Sequence, residues 1–307
     1  MNQKYAFLFP GQGSQFVGMG KDLAENFRVA KEVFDEVDDT LGWKLSGLMF
    51  AGDAETLTLT QNAQPAIMAV SVAVWHVLTT ESTIGEKIAC MAGHSLGEYS
   101  ALCATGSLTL AQTTLLLKAR AEAMRMAAEQ NAGGMMALIG ATAEQAAEIA
   151  QKSGCFIAND NCPGQIVLSG RVSDLTTAQI QAEQAGIKRA IPLAVSGAFH
   201  CPLMMPAREK LEAALKSVTF NQPLYPVYFN ISAQTENNPD QFGELLLKQL
   251  TGTVRFREIL QNIPTADFVE CGPGKVLSGL TKRTRNNVRI LDTATLENIK
   301  TLLQAEQ

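Results

Sequence analysis

The chain has 307 residues, enough to bury a full core as one large domain or two smaller ones, and its 46% hydrophobic and 18% charged residues exclude a disordered chain. A formal charge of −5 argues against a general nucleic-acid binder. Six cysteines (Cys90, Cys103, Cys155, Cys162, Cys201 and Cys271) include no CxxC pair, which points to reduced, mostly buried thiols and to neither a disulfide framework nor a zinc site.

Met1-Asn2-Gln3-Lys4-Tyr5 leads straight into the strand-like Ala6-Phe7-Leu8-Phe9, with no h-region or cleavage site, and no apolar run reaches the length of a membrane span. The expectation is a cytoplasmic protein with no membrane partner. The first strand feeds a glycine-rich loop, Pro10-Gly11-Gln12-Gly13-Ser14-Gln15-Phe16. It fails as a dinucleotide fingerprint because Phe16 holds the third glycine position. It reads either as a tight βα connection or as a donor of the Gln12 backbone N–H to a neighbouring site.

The apolar run Ile88-Ala89-Cys90-Met91-Ala92 predicts a second buried strand, followed at once by Gly93-His94-Ser95-Leu96-Gly97 and a helix-compatible stretch. A serine between glycines at a strand-to-helix turn is presented with its hydroxyl exposed, and the N–H of the next residue, Leu96, can stabilise an oxyanion. Ser95 is therefore the candidate nucleophile. A base near neutrality is most often histidine, and the chain has three: His76, His94 and His200. His76 sits in a helical stretch introduced by Pro65, and His94 is poorly aimed because neighbouring strand side chains point to opposite faces, although it can line the site. His200, after the small-residue segment Ser196-Gly197-Ala198-Phe199, remains as general base by elimination. Cys201 beside it is a weak Cys/His candidate, since sequence neighbours rarely have the required geometry.

A helix is predicted from about Leu110 to Ala128. Leu116 and Leu117 share a face with Arg120, so the cation either meets an anion or snorkels to solvent. From Met135 the order is strand, helix (Ala143 to Lys152), strand (Cys155-Phe156-Ile157-Ala158), turn cluster (Asn159 to Gly164), strand (Ile166 to Ser169), helix (about Val172 to Ala185) and strand (about Ile187 to Val195). That β-α-β-β-α-β succession predicts a ferredoxin-like α+β insert over roughly 131–197. The flanks, 1–130 and 198–307, carry short apolar strands at Tyr5–Phe9, Ile88–Ala92, Pro226–Asn230, Asp267–Glu270 and Arg289–Leu291 between helical stretches. They predict one discontinuous α/β domain with a mainly parallel sheet covered by helices on both faces. Gly272-Pro273-Gly274-Lys275-Val276 lacks the spacing of a phosphate loop, and the basic run Lys275, Lys282, Arg283 and Arg285 suits either an acidic partner or plain solvation.

Five segments in order resemble the malonyl-CoA:acyl carrier protein transacylase family along nearly the whole chain: Phe9-Pro10-Gly11-Gln12-Gly13-Ser14-Gln15, Gln61-Asn62-Ala63-Gln64-Pro65-Ala66, Gly93-His94-Ser95-Leu96-Gly97-Glu98, Gly197-Ala198-Phe199-His200 and Gly272-Pro273-Gly274-Lys275-Val276-Leu277. The resemblance implies a hydrolase-like large domain with a ferredoxin-like small one. It puts the acylated serine on Ser95, the base on His200, the oxyanion donors on Gln12 and Leu96, and the malonyl-binding cation on Arg120. It also implies a histidine-orienting backbone carbonyl at Gln249, an acyl-pocket role for Gln64, and malonyl selectivity through Phe199. Thr251-Gly252 stands where the family usually has Asn-Pro.

The implied reaction moves a malonyl group from malonyl-CoA, a substrate and not a cofactor, to the phosphopantetheine thiol of an acidic acyl carrier protein in fatty acid or polyketide synthesis, with no metal. The sequence also admits a serine esterase or thioesterase, which needs Ser, acid and His in chain order with Asp160 or Asp174 as acid. A non-catalytic carrier-protein docking module is the third reading.

Overall fold

The computed structural model describes residues 4–307, so the reading of Met1, Asn2 and Gln3 lies outside the described residues. The strands in chain order are β1 Tyr5–Phe9, β2 Ile88–Gly93, β3 Gly133–Ile139, β4 Phe156–Cys162, β5 Gln165–Arg171, β6 Arg189–Pro192, β7 Val227–Tyr228, β8 Thr235–Glu236, β9 Asp267–Glu270 and β10 Arg289–Asp292. They form a six-stranded sheet ordered β10-β9-β1-β2-β7-β8 and a four-stranded sheet ordered β4-β5-β3-β6. The large sheet is parallel except for the terminal β7–β8 pair.

Strand β1 explains why its sequence shows no polar alternation. All five of its residues are buried, Tyr5, Phe7 and Phe9 in one core cluster and Ala6 and Leu8 in a second on the other face. On the first face Phe7 meets Trp75 of the Thr60–Glu81 helix edge-on at 5.3 Å. That helix corrects one expectation: at 22 residues and mean hydropathy 1.3 it is long and apolar enough to cross a membrane. Its most apolar window is 83% buried inside the protein, because the helix runs through the core.

The predicted strand Pro226–Asn230 shrinks to Val227–Tyr228. The chain then turns through Ala233, at φ 56, and returns as the antiparallel β8, too short for a hydropathy period to reveal.

In the small sheet every pair is antiparallel. Its two helices, Ala143–Ser153 and Val172–Gln184, press Ala146, Ile149, Ala178 and Ala182 onto Met136, Leu138, Ile166 and Leu168. The first helix starts with a capping box between Thr142 and Gln145 and stops at Gly154, whose φ of 81 suits glycine. The predicted turn over Asn159–Gly164 is overturned, since β4 continues to Cys162 and only Pro163 and Gly164 turn. Two of the polar side chains that mimic a turn, Asp160 and Asn161, have partners from distant segments. Arg257 grips Asp160 with bonds of 2.7–3.0 Å, His94 meets Asn161, and β4 steps through two register shifts to aim them. Asp160 N–H also donates to Val254 O, and Val254 N–H to Ala158 O, both at 2.9 Å, which ties the small sheet to the segment leading into the Phe256–Asn262 helix.

Candidate active site

Strand β2 ends at Gly93, and a helix begins at Gly97, leaving Ser95 on the sharp turn between them with φ 54. That left-handed backbone costs a non-glycine residue on the order of 1–3 kcal/mol and persists only where surroundings enforce it. The two flanking glycines are steric necessities. A Cβ on Gly93 would lie 1.9 Å from Gly97 C, and one on Gly97 would lie 2.1 Å from Phe9 O.

His200 reaches this turn from the loop before the 3-10 turn Pro202–Met204, also with positive φ (56). Its Nε2 lies 2.8 Å from Ser95 Oγ and its Nδ1 2.8 Å from the backbone oxygen of Gln249. Gln249 sits in the last turn of the Phe242–Thr251 helix, where carbonyls lack intrahelical donors. A carbonyl can only accept, so Nδ1 carries the proton and Nε2 offers its lone pair to the serine hydroxyl. Burial, reinforced by the positive charge of Arg120, pushes the His200 pKa down to about 3. The imidazole is a neutral base.

Arg120 projects from the Leu110–Gln130 helix, which is started by a capping box between Thr109 and Gln112. It is 1% exposed, alongside buried Leu116 and Leu117, so it does not snorkel. Its Nη1 donates to Gln64 Oε1 at 2.7 Å, and its Nη2 donates to Ser95 Oγ and Gln249 Oε1, both at 3.0 Å. The guanidinium also stands 5.5 Å from the centre of the Tyr99 ring. All three acceptors are uncharged, and among the described residues Nε has no hydrogen-bond partner. A buried cation held only by neutral oxygens is suited to an incoming carboxylate.

A cleft of about 440 Å³ opens onto these groups, lined by Gln12, His94, Ser95, Leu96, Arg120 and His200, with Phe199 and Met124 in its wall. Among the described residues neither the Gln12 nor the Leu96 backbone N–H meets an internal acceptor. Gln12 is held by its side chain, whose Oε1 accepts from Thr60 at 2.9 Å. Gln64 and Gln249 stand behind the cleft, fully buried. His94 turns its Nε2 to Asn161 Oδ1 at 2.8 Å and not to Ser95, and burial lowers its pKa. His76 is exposed on the core helix, away from the cleft. Cys201 is buried with its thiol on Ala198 O at 3.2 Å, and burial raises its pKa, so it offers no thiolate.

The basic run divides. Arg285 is occupied by the carbonyls of Leu260, Ile263 and Thr265, and Lys275 pairs with Asp292 at 3.2 Å. Lys282 and exposed Arg283, which reaches Gln165 at 2.8 Å, remain on the helix whose Val276, Leu277 and Leu280 line the cleft.

Sequence reasoning missed Asn161, which looked like a turn residue, and Asn230 and Glu98, which hold the elbow from behind. Asn230 carried a usable signal, since it closes a predicted strand on the sheet edge where catalytic loops gather.

A serine at a strained strand–helix turn, a neutral histidine on its hydroxyl and free backbone donors beside it define an enzyme of acyl transfer through a covalent serine ester. The chain belongs to the acyl transferase domain family, which matches residues 6–299. It is 44% identical to the malonyl CoA-acyl carrier protein transacylase of Bacillus subtilis (strain 168), over 98% of this chain and 96% of that one. Among solved structures it is similar to an acyl-carrier-protein-S-malonyltransferase from Bartonella henselae, with TM-score 0.94, 44% identity and 99% of both chains covered. It is also similar to a malonyl-transacylase in complex with its type II PKS acyl-carrier protein, with TM-score 0.93, 37% identity, and 99% and 100% covered.

Proposed function

We propose that this protein transfers a malonyl group from malonyl-CoA to the phosphopantetheine thiol of an acyl carrier protein, through a malonyl ester on Ser95. The observation that carries the reading is Arg120, a buried cation 3.0 Å from the nucleophile and bonded only to neutral oxygens. It is a receptor for the free carboxylate of a short dicarboxylic half-thioester.

In the first half-reaction Ser95 Oγ attacks the thioester carbon while its proton passes to His200 Nε2. The carbonyl oxygen becomes an oxyanion between the N–H groups of Gln12 and Leu96, each such donor being worth ~3 kcal/mol in the transition state. The C–S bond then breaks, and the thiolate of coenzyme A takes the proton back from His200. In the second half-reaction the phosphopantetheine thiol gives its proton to His200 and attacks the ester carbon, and Ser95 is released with that proton. Gln249 O keeps the imidazole in the reactive tautomer throughout. Phe199 and Met124 line the same cleft as Arg120, and the family resemblance of Phe199 supports malonyl as the cargo.

Hydrolysis by an esterase-type triad is disfavoured. The histidine partner is a backbone carbonyl, and Asp160 is engaged by Arg257. We assign residues 131–197 to a ferredoxin-like insert in a discontinuous hydrolase-like domain formed by 1–130 and 198–307. The small sheet's order, with the strand first in the chain beside the last and third, supports this. Lys282 and Arg283 on the rim suit an acidic carrier protein, and six unpaired cysteines suit a reducing, cytoplasmic setting.

Intact mass after exposure to malonyl-CoA tests the reading. One malonyl adduct is expected, absent in Ser95→Ala and discharged by phosphopantetheinylated carrier protein faster than by water. Discharge by water at the same rate with or without carrier would overturn it.

A further inference from the structure

Strand β7 pairs with β2 through only two residues, Met91 with Val227 and Ala92 with Tyr228. Continued by two positions, that register would set His94 opposite Asn230. The main chain of Asn230 does not make this pairing, because its N–H donates to Glu98 Oε2 at 2.5 Å and its carbonyl accepts from Arg255 N–H at 3.1 Å. Its side chain makes the pairing instead. Asn230 Oδ1 accepts from Ser95 N–H at 2.7 Å, and Asn230 Nδ2 donates to Gly93 O at 2.6 Å. One residue of a parallel strand makes this same pair of bonds, to the N–H and C=O groups that flank the residue opposite.

We infer that Asn230, held in turn by Glu98, is the positioning residue of the nucleophile elbow: its carboxamide extends the β2–β7 ladder past the end of β7 and fixes Ser95 in its left-handed conformation. The inference rests on Ser95 being the acylated residue. Both Asn230 and Glu98 are fully buried, and neither lines the cleft, so they act through Ser95 and not on substrate. Gln249 closes the arrangement from the other side, its Nε2 donating to Ser95 O at 3.0 Å. With the N–H and the C=O of Ser95 both held by side chains, the backbone cannot relax out of a conformation that serine disfavours, and Leu96 N–H stays aimed at the cleft. Peptide-like bonds from a side chain suit this place because a continuing β7 main chain would run on alongside the turn. A carboxamide supplies the pairing and then lets the chain leave toward β8.

The test is the single-turnover rate of malonyl adduct formation, read by quenched intact mass with Ser95→Ala as blank, alongside kcat, KM for malonyl-CoA and thermal melting. Asn230→Ala is expected to lower the acylation rate and kcat roughly 100-fold, the scale of an ångström misplacement of a reacting group. KM should stay within about threefold, because the contacts of Arg120 with Gln64 and Gln249 are untouched. Asn230→Asp keeps an acceptor for Ser95 N–H but cannot donate to Gly93 O, and should also be slow. Glu98→Gln, which retains an acceptor for Asn230 N–H, should lose less rate than Glu98→Ala. A folded Asn230→Ala acylated at the wild-type rate would overturn the inference, as would a raised KM with unchanged kcat. Should Asn230→Ala not fold, Asn230→Asp and the Glu98 pair decide by the same criteria. A wild-type protein that gains no malonyl mass removes the functional reading and this inference with it, whereas normal wild-type acylation with fast variants removes only the inference.

Discussion

Arg120 Nη2 donates to Ser95 Oγ at 3.0 Å, so the charge that would grip the far end of the acyl group also touches the nucleophile. The serine oxygen accepts from Arg120 and gives its own proton to His200 Nε2. A carboxylate arriving at the guanidinium would compete for Nη2 and free that oxygen for attack. On the proposed reading, occupancy of the acyl pocket and release of the nucleophile would thereby be linked.

Replacing Arg120 by Ala should collapse discrimination between malonyl-CoA and acetyl-CoA. A buried charge left unpaired by the wrong acyl group can discriminate by ~10⁴ or more, and without the charge that selection goes. The measurement is kcat/KM for both thioesters. An unchanged ratio would remove the carboxylate assignment. Arg120→Lys should restore little, since an ammonium cannot span Gln64, Ser95 and Gln249 with a planar fork.

His200 should stay neutral far below the usual imidazole value. Its pKa is pushed down to about 3 by burial first and the Arg120 charge second, so the acid limb of kcat/KM in the free enzyme belongs well below pH 6.5. Imidazole NMR shifts would report this directly, and in Arg120→Ala the His200 pKa should rise. Because the folded value lies below the unfolded one, the unfolded chain binds the extra proton. The contribution to stability is complete above about pH 6.5 and is lost as pH falls toward 3. An acid limb near 6.5 would contradict the burial argument. His200→Ala should lower kcat by about 10²–10⁴, the range of general base catalysis.

Glu98 titrates in the opposite sense. Desolvation raises its pKa from 4.5 to about 8, so the folded state holds a proton that the unfolded state has released. Its stabilising contribution is complete below pH 4.5 and fades as pH rises through 8. Glu98→Gln should therefore flatten the stability profile between those limits, as read by urea denaturation at a series of pH values. A decline as steep as in the wild type would place the proton elsewhere.

Alanine at Gly93 or Gly97 should be worse than a typical overpacked core substitution, which costs about 1–3 kcal/mol. The new methyl would stand 1.9 Å from Gly97 C or 2.1 Å from Phe9 O, backbone atoms that cannot swing aside. Thermal melting would measure the loss. Alanine at Gly279, where a Cβ meets nothing within 4 Å, should leave melting nearly unchanged.

Chemistry written within a few consecutive residues could be read from the sequence. The elbow around Ser95, the buried two-faced strand Tyr5–Phe9 and the helix carrying Arg120 each announce themselves through local spacing, because hydropathy periods and glycine pairs are short-range signals. The resemblance extended that legibility to Gln64 and to Gln249, which no local pattern marked. Asn159-Asp160-Asn161 misled, since the same side chains that favour turns can sit in a bulged strand once Arg257 and His94 supply partners. The contact of Ser95 with His200 across 105 positions, the neutrality of that histidine and the ladder completed by Asn230 came only with the tertiary structure. Each depends on burial and on groups brought together from distant segments, and desolvation and hydrogen-bond geometry have no value until the chain has closed around them.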